Sequence, residues 1–306
     1  MKITKGKQSI TIIGEDFNTK EILECGQVFS FLKDKDENYL VVSNDKVAKI
    51  KVNGNTTTIL TNYVDYFYNF FDLDTDYEQI KSKICTYYKD FNKFFGGGAN
   101  IRILRQDAYQ TIISFIVSAN NNIKRIKKIL FSISKKYGRA ISREEYNFEP
   151  NVDRGAQDEV VESDDKLYSF PSLKELSNAT EQDFKDLGAG YRSSYLVETV
   201  KLLQTQDYEI NYLKSLDTKT LKAKLLQLKG VGNKVADCIL FFGFSRTDVF
   251  PVDTWIRKAY KLFCQDNRSD EQISNYFVAL FKDCSGYAQQ YVFNYMINNK
   301  EFYNID

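Results

Sequence analysis

Apolar positions change their period partway along this chain. Up to about residue 95 they fall in short β-branched or alternating runs: Ser9–Ile13 (SITII), Tyr39–Ser43 (YLVVS), 47–52 and Thr56–Leu60 (TTTIL). Asn53-Gly54 between the last two is a tight-hairpin signature, so these runs predict an antiparallel sheet. A helical pattern over 76–95 is expected to flank the sheet, and Gly96-Gly97-Gly98 ends it. From Arg105 onward the period becomes helical. DAYQTIISFIVSANNNIKRIKKILFSISKKYG reads as one or two amphipathic helices interrupted at 118–122, and more helix is predicted at 172–177, 180–187, 195–204 and 275–298. No internal repeat is visible. The fold class is α+β, with an antiparallel sheet domain over 1–99 and an α-helical domain over 100–306.

Within the helical part, Leu221, Leu225 and Leu228 keep helical spacing up to the turn Gly230-Val231-Gly232. Asn233-Lys234 then opens a second apolar helical pattern. Helix, tight turn and helix present outward-facing backbone N–H groups at a positive helix end, which is an anion site, and a DNA phosphate is the obvious anion. The same dipole, together with burial beside Val235 and Ile239, is expected to push the pKa of Lys234 down toward a nucleophilic amine. Cys238 at i+4 shares its face and Phe242 at i+8 continues it. Asp253, after Pro251-Val252, is either the N-cap of a helix TWIRKAYKLF or a catalytic carboxylate, and the two roles are compatible. These residues alone also fit a hairpin that binds DNA non-specifically, with the lysine meeting phosphate.

Composition narrows the field. With 306 residues, 43% hydrophobic and 27% charged, the chain can bury two cores. No stretch approaches the roughly 20 apolar residues of a membrane span, and MKITKGKQSI lacks a signal-peptide apolar run, so a cytoplasmic location is expected, nucleoid-associated in a bacterium. Five cysteines without a C-x-x-C pair argue against structural zinc and against a cysteine-held iron–sulphur cluster. The absence of histidine removes Ser-His-Asp catalysis and histidine-bound metal. The net charge is only +1, yet between residues 101 and 138 Arg102, Arg105, Lys124, Arg125, Lys127, Lys128, Lys135 and Lys136 face one acid, Asp107. This predicts a basic patch, for which a solvated helix face is the plainer reading. The acidic stretch 141–167 is expected to be a flexible, solvated insertion directed away from DNA.

GVGNKVADC followed by PVD resembles the helix-hairpin-helix DNA glycosylases, and within them the 8-oxoguanine DNA glycosylase branch. Four further segments are similar to that family. They are Cys25-Gly26-Gln27-Val28-Phe29, Asn120-Asn121-Asn122-Ile123 with Arg125, Leu187-Gly188-Ala189-Gly190-Tyr191-Arg192, and Ala288-Gln289 with Phe293. The resemblance implies a TATA-box-binding-protein-like sheet domain followed by the helical domain, with a base pocket between them. It implies that Lys234 attacks the sugar, that Asp253 supports the transition state and that Cys238 pairs with the lysine. Gly26 would read the N7 proton peculiar to 8-oxoguanine, Gln289 would bond the base's Watson–Crick edge, Phe293 would stack on the base, and Phe242 would line the pocket. Toward DNA it implies that Gly230 and Gly232 clamp phosphate, that Asn120 fills the gap left by the extruded base, that Tyr191 wedges the duplex, and that Arg125 and Arg192 address the orphaned cytosine. Core packing would equally account for Phe293. Three departures stand out: Lys229 replaces a usual proline, Trp255 a frequent phosphate-contacting histidine, and Ser30-Phe31 the usual Arg-Trp. An indole N–H can still donate to phosphate.

The expected partner is double-stranded DNA carrying oxidised guanine, met by a monomer without a membrane. The expected cofactor is none, with no iron–sulphur cluster and a place for a monovalent or divalent cation at the hairpin turn. Two other readings stay open. One is a glycosylase of this fold for a different damaged base, and the other is a non-catalytic hairpin protein that binds DNA.

Overall fold

The computed structural model describes residues 1–34, 36–96, 100–146, 166–299 and 301. Six strands, β1 (Lys2–Lys5), β2 (Ser9–Ile13), β3 (Phe31–Lys33), β4 (Tyr39–Ser43), β5 (Lys46–Asn53) and β6 (Thr56–Leu60), form one antiparallel sheet in the order β1-β2-β6-β5-β4-β3. Asn53 pairs with Thr56, so the tight turn is Gly54-Asn55, one residue later than the Asn53-Gly54 signature suggests, and Gly54 takes a φ of +55°. Alternation does the rest. Ile10, Ile12, Val41, Ile50 and Ile59 point to one face and are at most 1% exposed, under helix Val64–Phe70 with its Phe67 and Phe70, and the core closes over Ile22 and Leu23 of helix Thr19–Glu24.

The pattern over 76–95 is helical, as helix Tyr77–Tyr87 and a 3-10 stretch Lys89–Phe95, but it does not flank the sheet. Ile84, Phe91 and Phe94 instead join Phe277, Phe281 and Tyr291 in a second core with the C-terminal helices. Aromatic area explains the preference: Phe91 meets Phe281 edge to face at 5.2 Å, and Phe94 stacks on Phe263 at 5.1 Å. Residues 275–298 are not one helix. Asp270–Phe281 and Ser285–Asn298 are separated at Lys282, whose φ of +53° stops the first.

A third core is built by helices Ala108–Ser118, Ile123–Tyr137, Arg192–Leu203, Thr218–Leu225 and Asn233–Phe244. Ala108–Ser118 runs through its centre and packs on Asn233–Phe244 through Gly243, where an added Cβ would stand 3.0 Å from the Thr111 Cβ. The sheet domain is tied in by Gln27, 1% exposed. Its amide donates to the Ile22 and Arg102 carbonyls and accepts from the Leu104 N–H. Of the acidic stretch, residues 147–165 lie outside the described residues. Its base is a ladder in which Ala140–Ile141 pairs with Leu167–Tyr168, braced by Arg139 on Glu145 at 2.8 Å. No helix among the described residues is long and apolar enough to cross a membrane.

Candidate active site

The two hairpin helices, Thr218–Leu225 and Asn233–Phe244, are bound to each other by Lys222 on the buried Asp237 carboxylate at 2.6 Å. Burial raises the Asp237 pKa and Lys222 opposes that rise. Between the helices, Gly230 has a φ of +82° and packs so closely that a Cβ would sit 2.3 Å from the Tyr195 ring. Gly232 is the N-cap of the second helix, and nothing lies within 4 Å of where its Cβ would be. The first glycine therefore shapes the turn, while the second leaves open the approach to the first N–H groups of the helix.

Beside this turn opens a cavity of about 290 Å³ between three parts of the chain. Helix Asn233–Phe244 contributes Lys234, Cys238 and Phe242; the loop and helix that follow it contribute Asp253 and Trp255. The sheet domain contributes Cys25 and Gly26, and the C-terminal helix Gln289, Gln290 and Phe293. All seven residues expected at the chemistry and the base thus line one space. Phe115 completes it: its ring stacks on Phe242 at 5.6 Å, and the Lys234 ammonium lies 5.7 Å from its centroid. Nothing in the alternation of the buried helix Ala108–Ser118 distinguishes Phe115 from its core neighbours.

Asp253 is the expected N-cap, and it also stands at the cavity. Its carboxylate accepts the Ile256 N–H at 2.9 Å as the N-cap of helix Thr254–Tyr260, and it faces the cavity, where burial raises its pKa. Burial pushes the Cys238 thiol up to about 11, with Lys234 opposing. Lys234 itself is held above the ordinary lysine value, first by the charge of a Cys238 thiolate and then by the Asp253 carboxylate, against burial. This corrects the expectation of a lowered lysine pKa. The helix dipole and burial, both visible in the sequence, act to lower it, whereas the folded chain sets the Cys238 sulfur and the Asp253 carboxylate against the ammonium, and together they outweigh desolvation. Near neutral pH Lys234 therefore rests as an ammonium.

Gln289 is 5% exposed and its Oε1 is buried without a hydrogen-bond partner. A buried acceptor left open costs stability, and this one belongs to a residue lining the cavity, where an entering donor would satisfy it. Gly26, with a φ of +86°, takes a backbone conformation that favours glycine at the cavity wall.

Apart from Trp255, the side chains expected to meet DNA lie outside this cavity. Asn120 is exposed with a φ of +49°, a left-handed position that asparagine tolerates. Its neighbours close the two helices on either side: Asn121 donates to the Val117 carbonyl at 3.1 Å, and Asn122 accepts the Arg125 N–H at 2.9 Å as an N-cap. Tyr191 is 54% exposed with its ring edge on Tyr195, and Arg125 is exposed with its guanidinium 3.3 Å from the Gly188 carbonyl. Arg192 lies deeper. It is 2% exposed and turns inward, its Nε 2.8 Å from the Ala119 carbonyl and its Nη2 2.8 Å from that of Asn120. The basic patch is also smaller than the charge count implies. Arg102 serves the Asp72 and Thr75 carbonyls, Arg105 pairs with Asp72, Lys136 pairs with Asp183, and Lys127 lies over the Phe31 ring at 3.5 Å.

Residues 113–282, which hold the hairpin, Lys234 and Asp253, match the family model described as HhH-GPD superfamily base excision DNA repair protein. The chain belongs to this superfamily. Residues 9–112 match the family model described as 8-oxoguanine DNA glycosylase, N-terminal domain. The HhH-GPD relatives include a probable N-glycosylase/DNA lyase of Methanothermobacter thermautotrophicus, 28% identical over 76% of this chain and 73% of that one. The N-glycosylase/DNA lyase of Saccharomyces cerevisiae is 32% identical over 58% of this chain, which spans about half of the yeast protein (46%). Among solved structures, the Clostridium acetobutylicum 8-oxoguanine glycosylase/lyase in complex with double-stranded DNA containing cytosine opposite 8-oxoguanine superposes with a TM-score of 0.85. It is 32% identical, over 98% of this chain and 99% of that one.

Proposed function

We propose that this protein is a bifunctional base-excision repair enzyme that extrudes 8-oxoguanine from duplex DNA, preferentially opposite cytosine, excises it, and cleaves the resulting abasic site. One observation carries the reading. A lysine, a carboxylate and an unpaired carboxamide acceptor line one cavity beside a helix N-terminus open to phosphate. A target base inside a duplex is out of reach, so it is flipped into that cavity at a cost of a few kcal/mol, offset by stacking on Phe293 and by the hydrogen bonds it makes there.

The chemistry follows from the charges. The attacking form is the free Lys234 amine, so an ammonium proton leaves first, and the departing base, which gains a proton, is its final acceptor. As the glycosidic bond breaks, the Asp253 carboxylate, held in place by the Ile256 N–H, faces the cationic sugar. The Lys234 nitrogen bonds to C1′, the C1′–O4′ bond breaks as the second amine proton passes to O4′, and a protonated Schiff base remains. Removal of a C2′ proton then expels the 3′ phosphate by β-elimination. Side chains and water suffice for every step.

Borohydride trapping on duplexes with 8-oxoguanine opposite each base, beside duplexes carrying an alkylated purine or an oxidised pyrimidine, tests this reading. Trapping is expected with 8-oxoguanine, strongest opposite cytosine, and absent from Lys234→Gln. Trapping on another lesion alone would overturn the substrate, and base release without trapping would overturn the covalent route.

A further inference from the structure

The C-terminal helix presents two adjacent carboxamides to the cavity. We propose that Gln290 is a second base-reading side chain, whose amide donates to the C6 carbonyl of the extruded purine while Gln289 accepts from the ring's N–H groups. This rests on the reading of the cavity as a base pocket.

Gln290 is 2% exposed, lines the cavity, and its Nε2 is buried without a hydrogen-bond partner. Its side chain lies against the Cys25 thiol, but that thiol is a weak acceptor whose own proton goes to the Ile22 carbonyl at 3.5 Å. An open donor and the open acceptor of Gln289 thus belong to two residues lining the same cavity. Sheltered from water, neither is satisfied until something enters that offers the complementary pair.

The edge of a guanine offers that pair. N1–H and the 2-amino group donate, and the C6 carbonyl accepts. If Gln289 takes the donors and the Cys25-Gly26 segment faces the N7 side, the purine atom between those two edges is O6, and the group beside Cys25 is Gln290. The pattern also discriminates. An 8-oxoadenine carries an amino donor at C6, which would meet the Gln290 donor head on and leave both unpaired. Gln290 thus supplies a reason for selecting the guanine derivative from among 8-oxopurines, separate from the N7 proton that both share.

Single-turnover excision of 8-oxoguanine and of 8-oxoadenine, each opposite cytosine, tests the inference in wild type, Gln290→Met and Gln290→Ala, with melting temperatures recorded for each. Both variants are expected to lose about tenfold or more on 8-oxoguanine, the factor of one buried hydrogen bond, while 8-oxoadenine is excised as fast as before or faster. The preference for 8-oxoguanine should therefore shrink by about the same factor. Equal loss on both bases, whether through misfolding or repacking, would overturn the inference, as would no loss on either. Failure of the wider reading looks different, because the wild type itself would then release no 8-oxoguanine.

Discussion

The two glycines of the hairpin turn serve different ends, and alanine separates them. At Gly230 the φ of +82° is a left-handed conformation, which costs an L-residue about 1–2 kcal/mol. The added Cβ would also stand 2.3 Å from Cδ2 and 2.8 Å from Cε2 of Tyr195, so the ring has to move. That ring supports Tyr191 edge to face at 5.8 Å, and overpacking of this kind costs about 1–3 kcal/mol. Gly230→Ala is therefore expected to lose about 2–4 kcal/mol, a fall in Tm of roughly 5–10 °C for a chain of this size. Gly232→Ala should behave otherwise. Its φ of −92° suits any residue and its Cβ meets nothing within 4 Å, so Tm should stay within roughly 2 °C. The methyl would, however, stand at the N-terminus of helix Asn233–Phe244 where a phosphate would approach, and affinity for duplex DNA should fall about tenfold. Thermal melting and fluorescence-anisotropy titration at fixed salt read the two effects separately. A destabilised Gly232→Ala, or one that binds DNA as tightly as wild type, would refute the assignment of the open glycine to phosphate.

Other perturbations separate chemistry from scaffold. Lys234→Gln should abolish base release and borohydride trapping while affinity for lesion duplex, measured by anisotropy, stays largely intact. Asp253→Asn keeps a capping side chain at the head of helix Thr254–Tyr260, so its melting curve should barely move while single-turnover excision slows by roughly tenfold or more. Lys222→Met strands the buried Asp237 carboxylate and should cost about 1–3 kcal/mol in urea unfolding, largely recovered in the double variant with Asp237→Asn. Arg139 beside Glu145 pulls that carboxyl down to about 2 from its ordinary value. Because the folded pKa is the lower one, the stability it contributes is present above the unfolded carboxylate range near pH 4.3 and is lost as pH falls toward about 2. Proteolysis next to the ladder of Ala140–Ile141 and Leu167–Tyr168 should therefore rise over that window, and Arg139→Met should flatten the dependence.

Features set by local pattern were legible in the sequence. The runs at β2, β4, β5 and β6 alternate because one sheet face is covered, and the interruption at 118–122 stands out because three asparagines cannot continue an apolar helix. Strands β1 and β3 were missed for the converse reason: Lys2–Lys5 is largely exposed and Phe31–Lys33 is three residues long, so neither shows a period. The break at Lys282 carries no proline, and a lysine in the left-handed region leaves no trace in composition. The positions of Lys234, Cys238 and Asp253 were legible, but the direction of the lysine's pKa was not. It depends on how strongly the Cys238 sulfur and then Asp253, nineteen residues away along the chain, act on it against burial. Gln290 was hidden by its neighbour, since residues i and i+1 of a helix point about 100° apart and only the cavity shows that both reach it.

What the folded chain adds most is that the residues around the site stand at helix ends. Gly232 and Asp253 head the helices that flank the cavity, Asn122 heads the basic helix, and Asn121 closes the helix before it. Such a ring offers N–H groups where a phosphate or a carboxylate is wanted, and it leaves carbonyls in need of donors on the other side. Arg192 supplies those donors. Its guanidinium holds the Ala119 and Asn120 carbonyls, and with them the left-handed Asn120, so releasing it toward a cytosine would strand two carbonyls and loosen the residue expected to fill the gap in the duplex. Arg125 has no such duty: exposed, with its guanidinium 3.3 Å from the Gly188 carbonyl, it can exchange one acceptor for another when a cytosine edge arrives. Of the two arginines, Arg125 is the exposed one with a single carbonyl partner, and Arg192 supports the loop beside it.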